Sequence, residues 1–121
     1  MALIRTVGGT DVLKNNTVYV VGSTNTAKTT LTNGVASVST PDGTAVMIVS
    51  IKDSNFTNLA LSSNANMNIA VGGIKKDGTM ITPTNRYSAS SYPSNDVSDL
   101  DVIILNCYAL TSVNAVSLTF T

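Results

Sequence analysis

Apolar positions along the chain fall into two kinds of run. Val102 to Leu110 is apolar except for Asn106, and Ala45 to Ile51 is nearly as continuous, as expected of strands covered on both faces. Elsewhere the pattern has period two. Val116, Leu118 and Phe120 alternate with Ala115, Ser117 and Thr119, and Met67, Ile69 and Val71 alternate with Asn68 and Ala70, so one side packs and the other meets solvent or a partner. Residues 102–110 therefore read as a central strand, with 45–51 beside it or facing it across the core. Residues 101–120 read as a hairpin turned at Thr111-Ser112.

Turn chemistry punctuates the rest. Leu3 to Val7 opens as a strand that Gly8-Gly9 ends or bends. Asn15-Asn16, residues that tolerate left-handed backbone, predict a hairpin joining Val12-Leu13 to Val18–Val21. Asn33-Gly34 predicts a second, between 27–32 and 35–39, because both turn positions accept positive φ. Pro41-Asp42-Gly43 turns the chain into 45–51, and Lys76-Asp77-Gly78 turns the strand ending at Ile74 into Met80-Ile81. Around Phe56, Leu59 and Leu61 periodicity does not separate helix from strand. From Thr82 to Asp99, Pro83, Pro93 and repeated Ser and Asn make one long loop.

These elements predict a single all-β domain over residues 1–121 with a long loop at 82–100. Its form is an antiparallel β-sandwich, jelly roll or Greek-key barrel of about 8 to 10 short strands. No fixed-period repeat points to a solenoid or propeller.

Composition sharpens this. Glu, Gln, His and Trp are absent, which removes two good helix formers and leaves a core of Val, Ile, Leu and Ala. Charged residues are 12% of the chain, and seven basic residues cancel seven acidic ones, so the surface must be hydroxyl and amide. Such a surface can hydrate a free monomer, but with little repulsion between copies it favours a protein that works assembled. There is no basic patch for nucleic acid to engage. No apolar run approaches the ~20 residues needed for membrane insertion. Met1 to Arg5 lacks the features of a signal peptide.

Candidate chemistry is sparse. Gly22 to Thr29 nearly spells a phosphate-binding loop, but Ala27 stands where its second glycine belongs and a strand follows where a helix must start. Without His or Glu, acid–base work would fall to Asp alone, so no enzyme and no cofactor are expected. Asp96, Asp99 and Asp101, with Asn95, are oxygen ligands of the kind calcium takes; they equally suit turns and a charged strand edge. The lone Cys107 reads as a small buried hydrophobe. Asn15-Asn16-Thr17 and Asn55-Phe56-Thr57 fit the glycosylation sequon and read as chance matches. Arg86, Tyr87 and Tyr92 in the long loop could stack on and hydrogen-bond a sugar ring or a protein neighbour; otherwise the tyrosines lie down as lids over one end of the core.

Taken together, the small all-β chain, its charge-poor Thr/Ser/Asn surface, its early first strand and its missing catalytic types resemble the accessory structural proteins of bacteriophage particles. The likeness is one of overall pattern and transfers no residue role. It implies a capsid decoration or tail-associated protein in the virion, made in the host cytoplasm without a signal peptide. Its partners would be itself and other particle proteins, in many symmetric copies. A carbohydrate- or receptor-binding β-sandwich using the 85–101 loop on a surface glycan is the alternative class.

Overall fold

The computed structural model describes residues 5–7, 10–12, 14–21, 26–40, 43–63, 67–84, 86–87, 92–109 and 115–121. Among them are thirteen strands and no helix. In chain order these are β1 (Arg5–Val7), β2 (Thr10–Val12), β3 (Thr17–Val21), β4 (Thr26–Thr30), β5 (Val35–Ser39), β6 (Gly43–Ser50), β7 (Asn58–Ser63), β8 (Met67–Lys75), β9 (Met80–Ile81), β10 (Arg86–Tyr87), β11 (Asn95–Asp96), β12 (Leu100–Ala109) and β13 (Ala115–Phe120). β1 and β2 pair with each other. A seven-stranded sheet runs β10-β8-β12-β6-β3-β4, with β9 also on β8, and a four-stranded sheet runs β11-β7-β13-β5. All named strand pairs are antiparallel. The two large sheets pack face to face as a β-sandwich.

The long apolar runs become neighbours: β12 pairs β6 from Val102↔Ser50 to Ala109↔Gly43 and takes β8 on its other edge. Each large-sheet strand then offers an inner and an outer row. Ile103, Leu105 and Cys107 of β12, with Met47, Val49, Val18 and Val20, meet Leu59, Val116 and Leu118 of the small sheet in the main core. The outer row of Tyr19, Ile48, Ile74, Val102 and Ile104 forms a second buried cluster. β2 lies against β6.

Three expected hairpins resolve differently. β13 does not return beside β12; it lies in the other sheet, between β5 and β7. Its one apolar face is Val116, Leu118 and Phe120, each at most 2% exposed. That face is covered best from across the core, and both edges of β12 are already occupied by β6 and β8. Asn33-Gly34 does form the expected turn, with φ of 52° and 81°, and Thr32 and Val35 exchange hydrogen bonds of 2.8 and 3.0 Å. The ladder stops there, because β4 pairs β3 while β5 pairs β13. This turn is thus a corner between sheets, which lets Ala36 and Val38 face the core from the small sheet. Gly34 is pressed there against the Phe120 carbonyl, 2.5 Å from where a Cβ would sit.

Asn15-Asn16 likewise joins no hairpin, since β2 pairs β1 whereas β3 lies between β4 and β6. Leu13 lies outside the described residues. β3 is buried on both faces and needs neighbours on both edges, and the asparagines fasten its start to the end of β6. Asn16 takes φ 55° and donates its N–H to the Ser50 carbonyl at 2.9 Å. Asn15 Oδ1 accepts from Ser50 Oγ (2.6 Å) and the Lys52 N–H (3.1 Å), and its Nδ2 donates to Asp53 Oδ2 (2.9 Å).

Gly8-Gly9, Pro41-Asp42 and Thr111-Ser112 lie outside the described residues. β8 and β9 form the hairpin at Lys76-Asp77-Gly78, with Gly78 at φ 93° and Asp77 Oδ1 accepting the Thr79 N–H at 2.9 Å. The ambiguous stretch is strand β7, with Leu59 and Leu61 inward. Phe56 stacks on Phe120 at 5.4 Å between ring centroids. Within the long loop, β10 ties one part to the large sheet and β11 another to the small one.

Two substitutions test these corners. Gly34→Ala forces a side chain into left-handed backbone and into the Phe120 carbonyl, and is expected to cost about 2 kcal/mol or more in urea unfolding. Asn15→Ala strips the fully buried Ser50 hydroxyl of its acceptor and is expected to cost about 1 to 3 kcal/mol by the same measurement, with the β spectrum retained.

Candidate functional site

Arg86 and Tyr87 are consecutive on β10, so their side chains leave opposite faces of the sheet. Tyr87 pairs with Ile69, whose side chain belongs to the main core, and is half-buried on that inner side. Arg86 lies on the outer side, exposed, with its guanidinium carbon 3.7 Å from the centroid of the Tyr108 ring, within cation–π range. Tyr92 packs against the main core and its hydroxyl donates to the Met67 carbonyl at 2.8 Å. Burial pushes its phenol pKa above the ordinary value, only partly offset by a hydrogen bond involving Ser63. The structure therefore places the three residues in three settings. Tyr92 sits as a lid over the core, Tyr87 at the inner edge, and Arg86 on the outer face beside Tyr108.

The three aspartates are held in different ways. Asp96 Oδ1 accepts from the Ser98 N–H (2.9 Å) and hydroxyl (2.7 Å), which holds its carboxyl below the usual range. The Asp99 carbonyl accepts the Lys76 N–H at 2.9 Å, and the Asp101 carbonyl accepts the Ile51 N–H at 2.8 Å. Asp101 belongs to β12 and is buried, apart from the loop that was expected to gather it with the others. Asp96 and Asp99 border an open depression of about 140 Å³ together with Lys75, Ile81 and Leu100. Among the described residues, no three Asp or Cys side chains come together as a metal-ligand group.

The resemblance to a phosphate loop ends at β4. Ala27 to Thr29 are extended, and Lys28 Nζ lies 5.8 Å over the Tyr19 ring rather than at the start of a helix. Gly22 to Asn25 fall outside the described residues.

A different surface stands out from the strand register. On the outer face of the small sheet, Ser62, Ser117 and Ser37 lie in one row and Ala60, Thr119 and Val35 in the next. These are short side chains without charge, four of them hydroxyls, and Asp96 of β11 lies at the far edge of the same face, in register with Asn58. The sequence signal of this face is the polar half of the alternation in 35–39, 58–63 and 115–120, recognisable as one surface only once the three strands are known to be neighbours.

Cys107 is fully buried in the core, and burial pushes its thiol up to about 12. A raised native pKa means the folded chain holds a proton that the unfolded chain has released. The associated stability is complete below the ordinary thiol value of 9.0 and is lost as pH rises toward 12. Urea midpoints are expected to fall between those values, and Cys107→Ala to flatten that fall; thiol reagents are expected to label Cys107 only after unfolding. In comparisons with protein families, curated proteins and solved structures, no match to this chain was found.

Proposed function

We propose that this chain is a non-enzymatic structural and interaction protein of a phage-like particle, acting by protein–protein assembly as a capsid decoration or tail-associated component. The observation that carries this reading is the outer face of the small sheet. Ser37, Ser62, Ser117 and Thr119, with Ala60 and Val35, form an uncharged platform of short side chains across β5, β13 and β7, and the one charge on this face among the described residues is Asp96 at the β11 edge. Apposition to a neighbour over β5, β13 and β7 costs no charge desolvation, and long flexible side chains need not be ordered. The balance of seven basic and seven acidic residues adds no net repulsion between copies.

A second reading, a carbohydrate- or receptor-binding module, draws on Arg86 and Tyr108. The exposed guanidinium over an aromatic ring on the outer face is a polar and stacking contact of the kind a glycan uses. A glycan array on the full chain, repeated with Arg86→Ala and Tyr108→Ala, separates the two.

The assembly reading predicts that the chain co-sediments with particles from its native source through a density gradient. Ala60→Arg with Ser62→Arg, both at exposed positions of β7, is expected to leave the fold intact and reduce incorporation at least ~10-fold, because the two charges would be buried unpaired. Particles that form without the chain bound, or undiminished incorporation of the double variant, would overturn it.

A further inference from the structure

The two sheets end in unequal edges. On the large sheet, β4 carries the exposed Lys28, and beyond β8 lie only the two-residue β9 and β10; the small sheet ends in the two-residue β11 on one side. Its other edge is β5, Val35-Ala36-Ser37-Val38-Ser39, five residues without a charge or a proline. Charge, proline and shortness are the ordinary protections of an edge, and β5 has none of them.

The hydrogen-bond register shows what this edge offers. The Phe120 N–H donates to the Gly34 carbonyl at 2.8 Å in line with the β5–β13 ladder. By alternation, Ala36 and Val38 spend their backbone groups on β13, and Val35, Ser37 and Ser39 aim theirs outward. Val35 exchanges both of its bonds with Thr32. The outward N–H and C=O of Ser37 and Ser39 are taken by no described strand. Val35 is also one of only three large hydrophobic side chains exposed among the described residues, at 46%.

We propose that a second copy of this chain pairs here, β5 against β5, antiparallel about a two-fold axis at Val38. In that register Ser37 of one copy faces Ser39 of the other and exchanges two hydrogen bonds with it, and the symmetry repeats the exchange. The edge is therefore its own complement: each outward donor meets an outward acceptor, neither β5 carries a charge, and two four-stranded sheets continue as one. The inference rests on the assembly reading and names its partner. One strand edge is a small contact, so the pairing is of the weak class.

Sedimentation of the full chain at ~100 µM is expected to give twice the 12.5 kDa of one copy. The double variant Ser37→Lys with Ser39→Lys sets lysine opposite lysine across the axis, and its dissociation constant is expected to rise at least ~10-fold. Mixing it with Ser37→Asp and Ser39→Asp chains is expected to restore a mixed pair. A monomeric natural chain at that concentration, a lysine variant that still pairs, or a mixture that stays monomeric would each overturn the proposal. If the variants lose the β spectrum, amide exchange on the natural chain decides: protection of Ser37 and Ser39 that grows with concentration supports the pairing, and protection independent of concentration defeats it. A chain that is monomeric yet bound to particles removes this inference alone, and a paired chain absent from particles removes the assembly reading alone.

Discussion

The fold depends on one strand that is apolar on both faces. β12 directs Ile103, Leu105 and Cys107 into the main core and Val102 and Ile104 into the outer cluster, so neither face of its sheet can be left to water. Its backbone groups must then be paired on both edges, and β6 and β8 do this along nearly its whole length. Once those edges are filled, any further strand with an apolar stripe must cover β12 from across the core. That requirement sends β13 to the opposite sheet. Burying Val116, Leu118 and Phe120 is worth about 1.5 to 3 kcal/mol each.

Two of the corners where the chain changes sheets use backbone shapes that most residues resist, and Asn and Gly supply them. Gly34 sits at positive φ where no Cβ fits beneath the Phe120 carbonyl. Asn16 sits at positive φ while Asn15 saturates the end of β6 with side-chain hydrogen bonds. The amides thus replace the charges that are scarce in this sequence. The same economy shapes the exterior, where Ser, Thr and Ala line the outward rows of the small sheet and Arg86 rests on Tyr108.

The candidate surfaces were legible in unequal measure. Cys107 was legible as core because it lies within a run that is apolar except for Asn106, and burial is what raises its thiol. Arg86, Tyr87 and Tyr92 were close enough in sequence to read as one contact patch. Strand alternation and the reach of Tyr92 to the Met67 carbonyl put them in separate places. The outer face of the small sheet was half visible, since the polar positions of β13 were evident, but its partners β5 and β7 come from distant parts of the chain.

By itself the sequence determined that the chain forms strands, which residues of β8, β12 and β13 turn inward, and the turns at Asn33-Gly34 and Lys76-Asp77-Gly78. These follow from side-chain chemistry repeated with period two and from the few residues that accept positive φ. Apart from the β8–β9 hairpin, only the tertiary structure decided which strand lies beside which, turning the expected hairpins at Asn15-Asn16 and Asn33-Gly34 into corners and separating β12 from β13. The physical reason is that side chains specify a face, whereas strand pairing joins backbone N–H and C=O groups that are nearly alike at every residue. Edge partners are therefore chosen by how all the apolar faces can be covered at once.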